Sequence, residues 1–72
     1  MEKILISSET IKLSQLLKLL GLINTGGEAK YFLLKNEVFI NTILCSSRNK
    51  LLKNGDILSV FNKDYLITVK KW

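Results

Sequence analysis

Arg48, Asn49, Lys50 and Lys53 sit in a stretch of chain whose only charges are positive, following the polar run Cys45-Ser46-Ser47. A loop of that kind can approach a polyanionic backbone with no neighbouring acid to oppose it. Arg48 offers a planar fork of donors suited to a phosphate or to a guanine edge, while Lys50 acts as a mobile point charge. A second cationic group is scattered over two helical segments. Lys12 and Gln15 fall one turn apart on a polar face, and Lys30 lies off the apolar stripe of the following segment. Between them runs Thr25-Gly26-Gly27-Glu28, which has the spacing of a capping box. If Thr25 and Glu28 satisfy each other's backbone N–H groups, the amides of Gly26 and Gly27 are left at a positive helix end that a phosphate could reach. The alternative is that the two glycines let the helices pack closely.

Other chemistries lack their parts. There is no histidine and a single cysteine, Cys45, so a disulfide within the chain is excluded and a metal centre would need to be built almost wholly from carboxylates. No Ser-His-Asp or Cys-His set, phosphate-binding P-loop or clustered carboxylate pair is present, and neither an enzyme nor a cofactor is expected. Tyr31, Phe39, Phe61 and Trp72 are candidate stacking platforms for unpaired bases, although Phe39 and Phe61 are better placed to pack.

These side chains must be positioned by a small scaffold. The 72 residues are enough for one domain, 1–72, and 47% of them are hydrophobic, mostly Leu and Ile, which suits an aliphatic core. Eleven Lys and Arg against six Asp and Glu leave a net charge of +5, a field that favours polyanions. No apolar run approaches the ~20 residues of a membrane span, so the expectation is a soluble, cytoplasmic monomer with no membrane partner and no small-molecule substrate.

Alternation of Ile4 and Ile6 predicts a short strand over Glu2–Ser7. From Thr10 the period becomes helical, with Leu13, Leu16, Leu17 and Leu20 on one face, Lys12, Ser14, Gln15 and Lys18 on the other, and Gly21 as the stop. A second helix starts at the Thr25 cap, carries Ala29, Phe32 and Leu33 at core spacing, and leaves through a left-handed Asn36. Val38 and Ile40 have strand period; Thr42 to Lys53 reads as a loop, Asn54-Gly55-Asp56 as a turn, and Ile57–Phe61 and Tyr65–Lys70 as strands joined by Asn62-Lys63-Asp64. The order predicts an α+β fold, two helices packed on a small, mainly antiparallel sheet.

The stretch Ile11 to Leu58 resembles the ribosomal-protein S-four type of RNA-binding domain, the αL RNA-binding motif. The resemblance rests on Lys12-Leu13, Gly21, Thr25, Ala29, Phe32-Leu33, Val38, Ile40-Asn41, the loop from Arg48 to Lys53 and Gly55-Asp56. The run from Gly21 to Lys30 is similar in particular to small bacterial YaaA-like proteins that consist of this domain and little else. The resemblance implies a ribosome-associated RNA binder with its motif core at 11–58. It implies structured ribosomal RNA first and transfer RNA second, recognised by shape and backbone through Lys12, Gln15, Thr25, Gly26, Gly27, Lys30, Arg48, Asn49, Lys50 and Lys53. Three positions depart from the family outline: Gly26 stands where an arginine is usual, and Asn36 and Thr42 stand where glycines are usual. Competing readings are a protein-interaction module in ribosome assembly and a β-grasp sulfur carrier. The carrier requires a Gly-Gly end, whereas this chain ends Lys70-Lys71-Trp72.

Overall fold

The computed structural model describes residues 1–70. Among these, the chain forms β1 (Glu2–Ile6), β2 (Thr10–Lys12), α1 (Leu13–Leu19), a 3₁₀ turn (Gly26–Glu28) leading into α2 (Ala29–Lys35), then β3 (Val38–Ile40), β4 (Ile43–Leu44), β5 (Leu51–Lys53), β6 (Ile57–Val60) and β7 (Lys63–Val69). The principal sheet has the order β1-β7-β6-β3-β4, while β2 and β5 pair as a separate ribbon. Every pairing is antiparallel except β1 with β7, which are parallel. The expected α+β fold of two helices on a mainly antiparallel sheet is therefore observed.

Periodicity explains the core. Leu13, Leu16 and Leu17 of α1 and Ala29 of α2 are buried against Val38, Ile40, Leu58, Val60 and Ile67, which alternate along their strands with residues on the opposite face. Burying a leucine side chain fully stabilises the fold by about 1.5–3 kcal/mol, so these few residues dominate the energetics of a chain this short. Helix α1 stops as its sequence requires. Gly21 takes φ +75°, its N–H donates to the Lys18 carbonyl at 3.0 Å, and the Leu22 N–H donates to the Leu17 carbonyl at 3.0 Å, the paired bonds of a Schellman end.

Several local expectations are corrected. Thr10–Lys12 is strand, not the first turn of α1, because Ile11 pairs with Leu52 across the ribbon, a partner 41 positions away that no local period reveals. Ser14, placed by period on the polar face, is buried, since the loop backbone at Arg48 bonds to it. Asn36 leaves α2 in an extended conformation (φ −131°, ψ 139°) and instead caps the helix with its side chain, the Nδ2 donating to the Phe32 carbonyl at 3.1 Å. The stretch 42–53 is only partly loop, because its two ends form β4 and β5. The β6–β7 turn is Phe61-Asn62, both at positive φ, rather than Asn62-Lys63-Asp64. Phe61 tolerates that backbone while its ring meets Phe32 edge to face at 5.7 Å.

Thr42 has no such compensation. It follows Asn41 in the two-residue β3–β4 turn at φ +70°, a region that penalises β-branched side chains. Thr42→Gly is expected to raise stability by about 1 kcal/mol, the strain relieved less the added freedom of the unfolded chain, measured by urea denaturation.

Candidate nucleic-acid interface

The basic loop is held at both ends and in its middle. At its middle, carbonyls of the loop cap α1: the Leu13 N–H donates to the Lys50 carbonyl at 2.8 Å and the Ser14 N–H to the Arg48 carbonyl at 3.0 Å. Lys12, the N-cap, makes no side-chain cap bond, so the helix start depends on loop carbonyls 34 and 37 residues away in sequence. A further bond from the Lys50 N–H to the Ser47 carbonyl at 3.2 Å closes a turn around Arg48 and Asn49, and the Cys45 thiol donates to the Ser47 carbonyl at 3.7 Å.

Asp56 ties the β3–β4 turn that precedes the loop to the strand β5 that follows it. This carboxylate is buried, accepting from the Asn41 Nδ2 at 3.0 Å and from the Lys53 N–H at 2.9 Å, with the Lys53 ammonium 3.8 Å away. Both ends of the Asn41 amide are engaged, its Oδ1 accepting from the Ile57 N–H at 2.9 Å. Burial acts to raise the Asp56 pKa, but the hydrogen bonds from Asn41 and Lys53, helped by the charges of Lys53 and Lys50, outweigh it and hold the carboxyl below its usual 3.8.

This frame gathers part of the expected site. Arg48, Asn49, Lys50 and Lys53 are exposed, and the register Lys12↔Leu51 and Thr10↔Lys53 puts the Lys12 and Lys53 side chains on the outer face of the β2–β5 ribbon beside the loop. Gln15 is exposed on the first turn of α1, next to the bonded Leu13 and Ser14. Thr25 and Lys30 are exposed as well, but no hydrogen bond or ion pair joins them to the loop; their segment packs on α1 through the 3₁₀ turn.

The capping box does not close as anticipated. Thr25 makes no side-chain cap bond, its carbonyl accepts the Glu28 N–H at 3.1 Å, and the Glu28 carboxylate takes the N–H of Asn24, not of Thr25, at 2.8 Å. Helical packing does not explain the glycines either. A Cβ on Gly26 would meet nothing within 4 Å, and one on Gly27 would meet only the Thr25 Oγ1 at 3.9 Å. Of the aromatic candidates, Tyr31 and Phe61 are exposed and Phe39 is half-buried; Trp72 lies outside the described residues. The residues that position the loop, Asn41 and Asp56, were not anticipated as part of the site, although Ile40-Asn41 and Gly55-Asp56 are elements of the resemblance.

Comparison with known families identifies the domain. Residues 4–68 match the S4 domain. The chain belongs to the S4-domain family. It is also 40% identical over 55 residues to the probable ribosome maturation protein RlbA of Bacillus subtilis (strain 168), covering 76% of this chain and 78% of that protein. Both findings support an RNA-binding or ribosome-related role for this S4-domain protein. No helix among the described residues is long and apolar enough to cross a membrane.

Because the Asp56 pKa is depressed in the fold, its contribution to stability is fully present above the unfolded value near 3.8 and is lost as pH falls through the lower folded value. Replacing it by Asn should cost about 1–2 kcal/mol at neutral pH and flatten the acid limb of the stability profile, read by urea denaturation at a series of pH values.

Proposed function

We propose that this S4-domain protein binds structured RNA, ribosomal RNA before transfer RNA, through backbone and shape contacts made by the loop from Arg48 to Lys53 and the adjoining Lys12 and Gln15. One observation carries the reading: the loop backbone is bonded to the start of α1, so its cations are held ready beside Lys12 and Lys53 instead of being ordered at the moment of binding. Exposure keeps these side chains available, and the nearest acid, Asp56, is buried and committed to its own partners. A recess of about 510 Å³ elsewhere on the sheet is lined by Glu37 and Asp64 against the single cation Lys35, a balance less favourable to a polyanion than that of the loop.

Ribosomal RNA is favoured because the relative is named for ribosome maturation. A role in assembly also supplies the setting in which the protein would act as a small ribosome-associated factor. Thr25, Gly26, Gly27 and Lys30 form a second, weaker contact, in which the open glycine backbone stands in for the side chain of the arginine usual at Gly26. Bulky substitutions at both glycines should lower RNA affinity in a protein that still unfolds cooperatively; unchanged affinity removes that segment from the interface.

Arg48→Ala and Lys50→Ala should each weaken binding of a ribosomal RNA fragment and reduce the slope of log affinity against log salt by about one. An unaltered slope across the titration would mean that the loop does not touch phosphate. Crosslinking in cells followed by sequencing of the bound RNA identifies the target, with ribosomal RNA expected and its loss expected in the Arg48→Ala, Lys50→Ala double variant.

A further inference from the structure

Beside the basic loop the chain leaves an apolar groove of about 320 Å³ between β4 and β5. Ile43, Leu44 and Leu51 line it at 72%, 57% and 54% exposure, with Ile40 and Cys45 deeper and Lys50 and Lys53 at the rim. Ile43 and Leu51 set two large exposed aliphatic side chains about the recess, while Leu44, paired with Phe39 and so turning its side chain to the opposite face of β4, adjoins it through its edge backbone. Apolar surface so exposed in so small a domain calls for an occupant. We infer that the groove receives a single unpaired nucleobase of the bound RNA while Lys50 and Lys53 hold the flanking phosphates. This rests on the RNA-binding reading of the loop and adds to it a preference for RNA carrying an extruded nucleotide.

Three features of the groove select a base over other occupants. The first is charge: its ionised side chains are two exposed lysines and one aspartate, and that aspartate is buried and satisfied by Asn41 and the Lys53 N–H. A polyanion therefore meets no opposing free carboxylate there. The second is surface type. A base has two apolar faces, and unpaired bases are bound between aromatic or aliphatic side chains when they leave the stack. The third is the hydrogen-bonding edge. Ile40 and Ile43 close the two-residue turn, and the Cys45 N–H donates to the Val38 carbonyl at 2.8 Å, so the intervening Leu44 directs its N–H and C=O away from β3. β4 ends the sheet, leaving that donor and acceptor without a strand partner among the described residues. One donor beside one acceptor matches the edge of a base. An added peptide strand would need a longer ladder, and β4 is only two residues long.

The test uses the whole chain and two RNA hairpins, identical except that one stem carries a single bulged 2-aminopurine. The wild type should bind the bulged hairpin about fivefold more tightly and raise the 2-aminopurine fluorescence as the base leaves the stack. The Ile43→Ser, Leu51→Ser double variant should lose that preference and the fluorescence rise while binding the fully paired hairpin as the wild type does. Retained duplex affinity also shows that the variant folds, as expected for two exposed positions. Equal wild-type affinity for the two hairpins, or a preference untouched by the double variant, overturns the inference but leaves the loop reading standing. Failure to bind either hairpin overturns both. If the variant instead loses a nuclease-resistant protein partner with RNA preference unchanged, the groove is a protein-docking site and the inference is wrong.

Discussion

A carboxylate taken out of water must be given hydrogen bonds where it is put, and in this chain the Asp56 side chain obtains them from two parts of the fold while its backbone bonds a third. Its side chain accepts from Asn41 in the β3–β4 turn and from the backbone of Lys53 in β5, while its own carbonyl accepts the Ile67 N–H of β7 at 2.9 Å. The neighbouring Gly55 N–H reaches the Ile67 carbonyl at 2.9 Å, a close backbone approach made at φ +92°. The node thus joins the small ribbon to the principal sheet. It is also where the loop that leaves β4 returns through β5, so the position of every loop cation follows from it.

With both ends of the loop set, its carbonyls can serve α1. A seven-residue helix is too short to persist without tertiary support, and this one has no acidic residue in its first turn and no side-chain cap. The loop supplies the missing acceptors, and the helix in turn holds the loop still. Rigid cations lose less entropy on meeting phosphate than a free loop would. The same frame leaves β4 as a short, open edge beside the lysines, where apolar surface and positive charge adjoin. The cationic loop and the apolar groove therefore depend on one structural unit.

The three departures from the family outline have different physical consequences. Asn36 adopts an extended backbone and recovers a helix-capping bond through its side chain. Thr42 keeps the left-handed turn at the expense of local strain. Gly26 places no side chain on the surface, and the nearby Glu28 is drawn back to the Asn24 N–H. The cationic side chains consequently gather on the loop and ribbon and not at the start of helix two.

Much of this was legible from residues alone. The leucine spacing of α1, the glycine that ends it, the Ala29, Phe32, Leu33 stripe of α2 and the all-positive loop follow from side-chain chemistry and short-range period, and these act over one or two turns of chain. What the local pattern left open was decided by partners distant in sequence. Thr10–Lys12 became strand because Leu51–Lys53 lies beside it, Ser14 was buried because Arg48 bonds to it, and the groove exists because β4 and β5 stand apart around Asp56. The sequence by itself determined which residues carry charge and which seek the core. Only the tertiary structure decided which charges stand together, because backbone donors and acceptors left open by short elements are satisfied across the chain, and those long-range bonds set the surface.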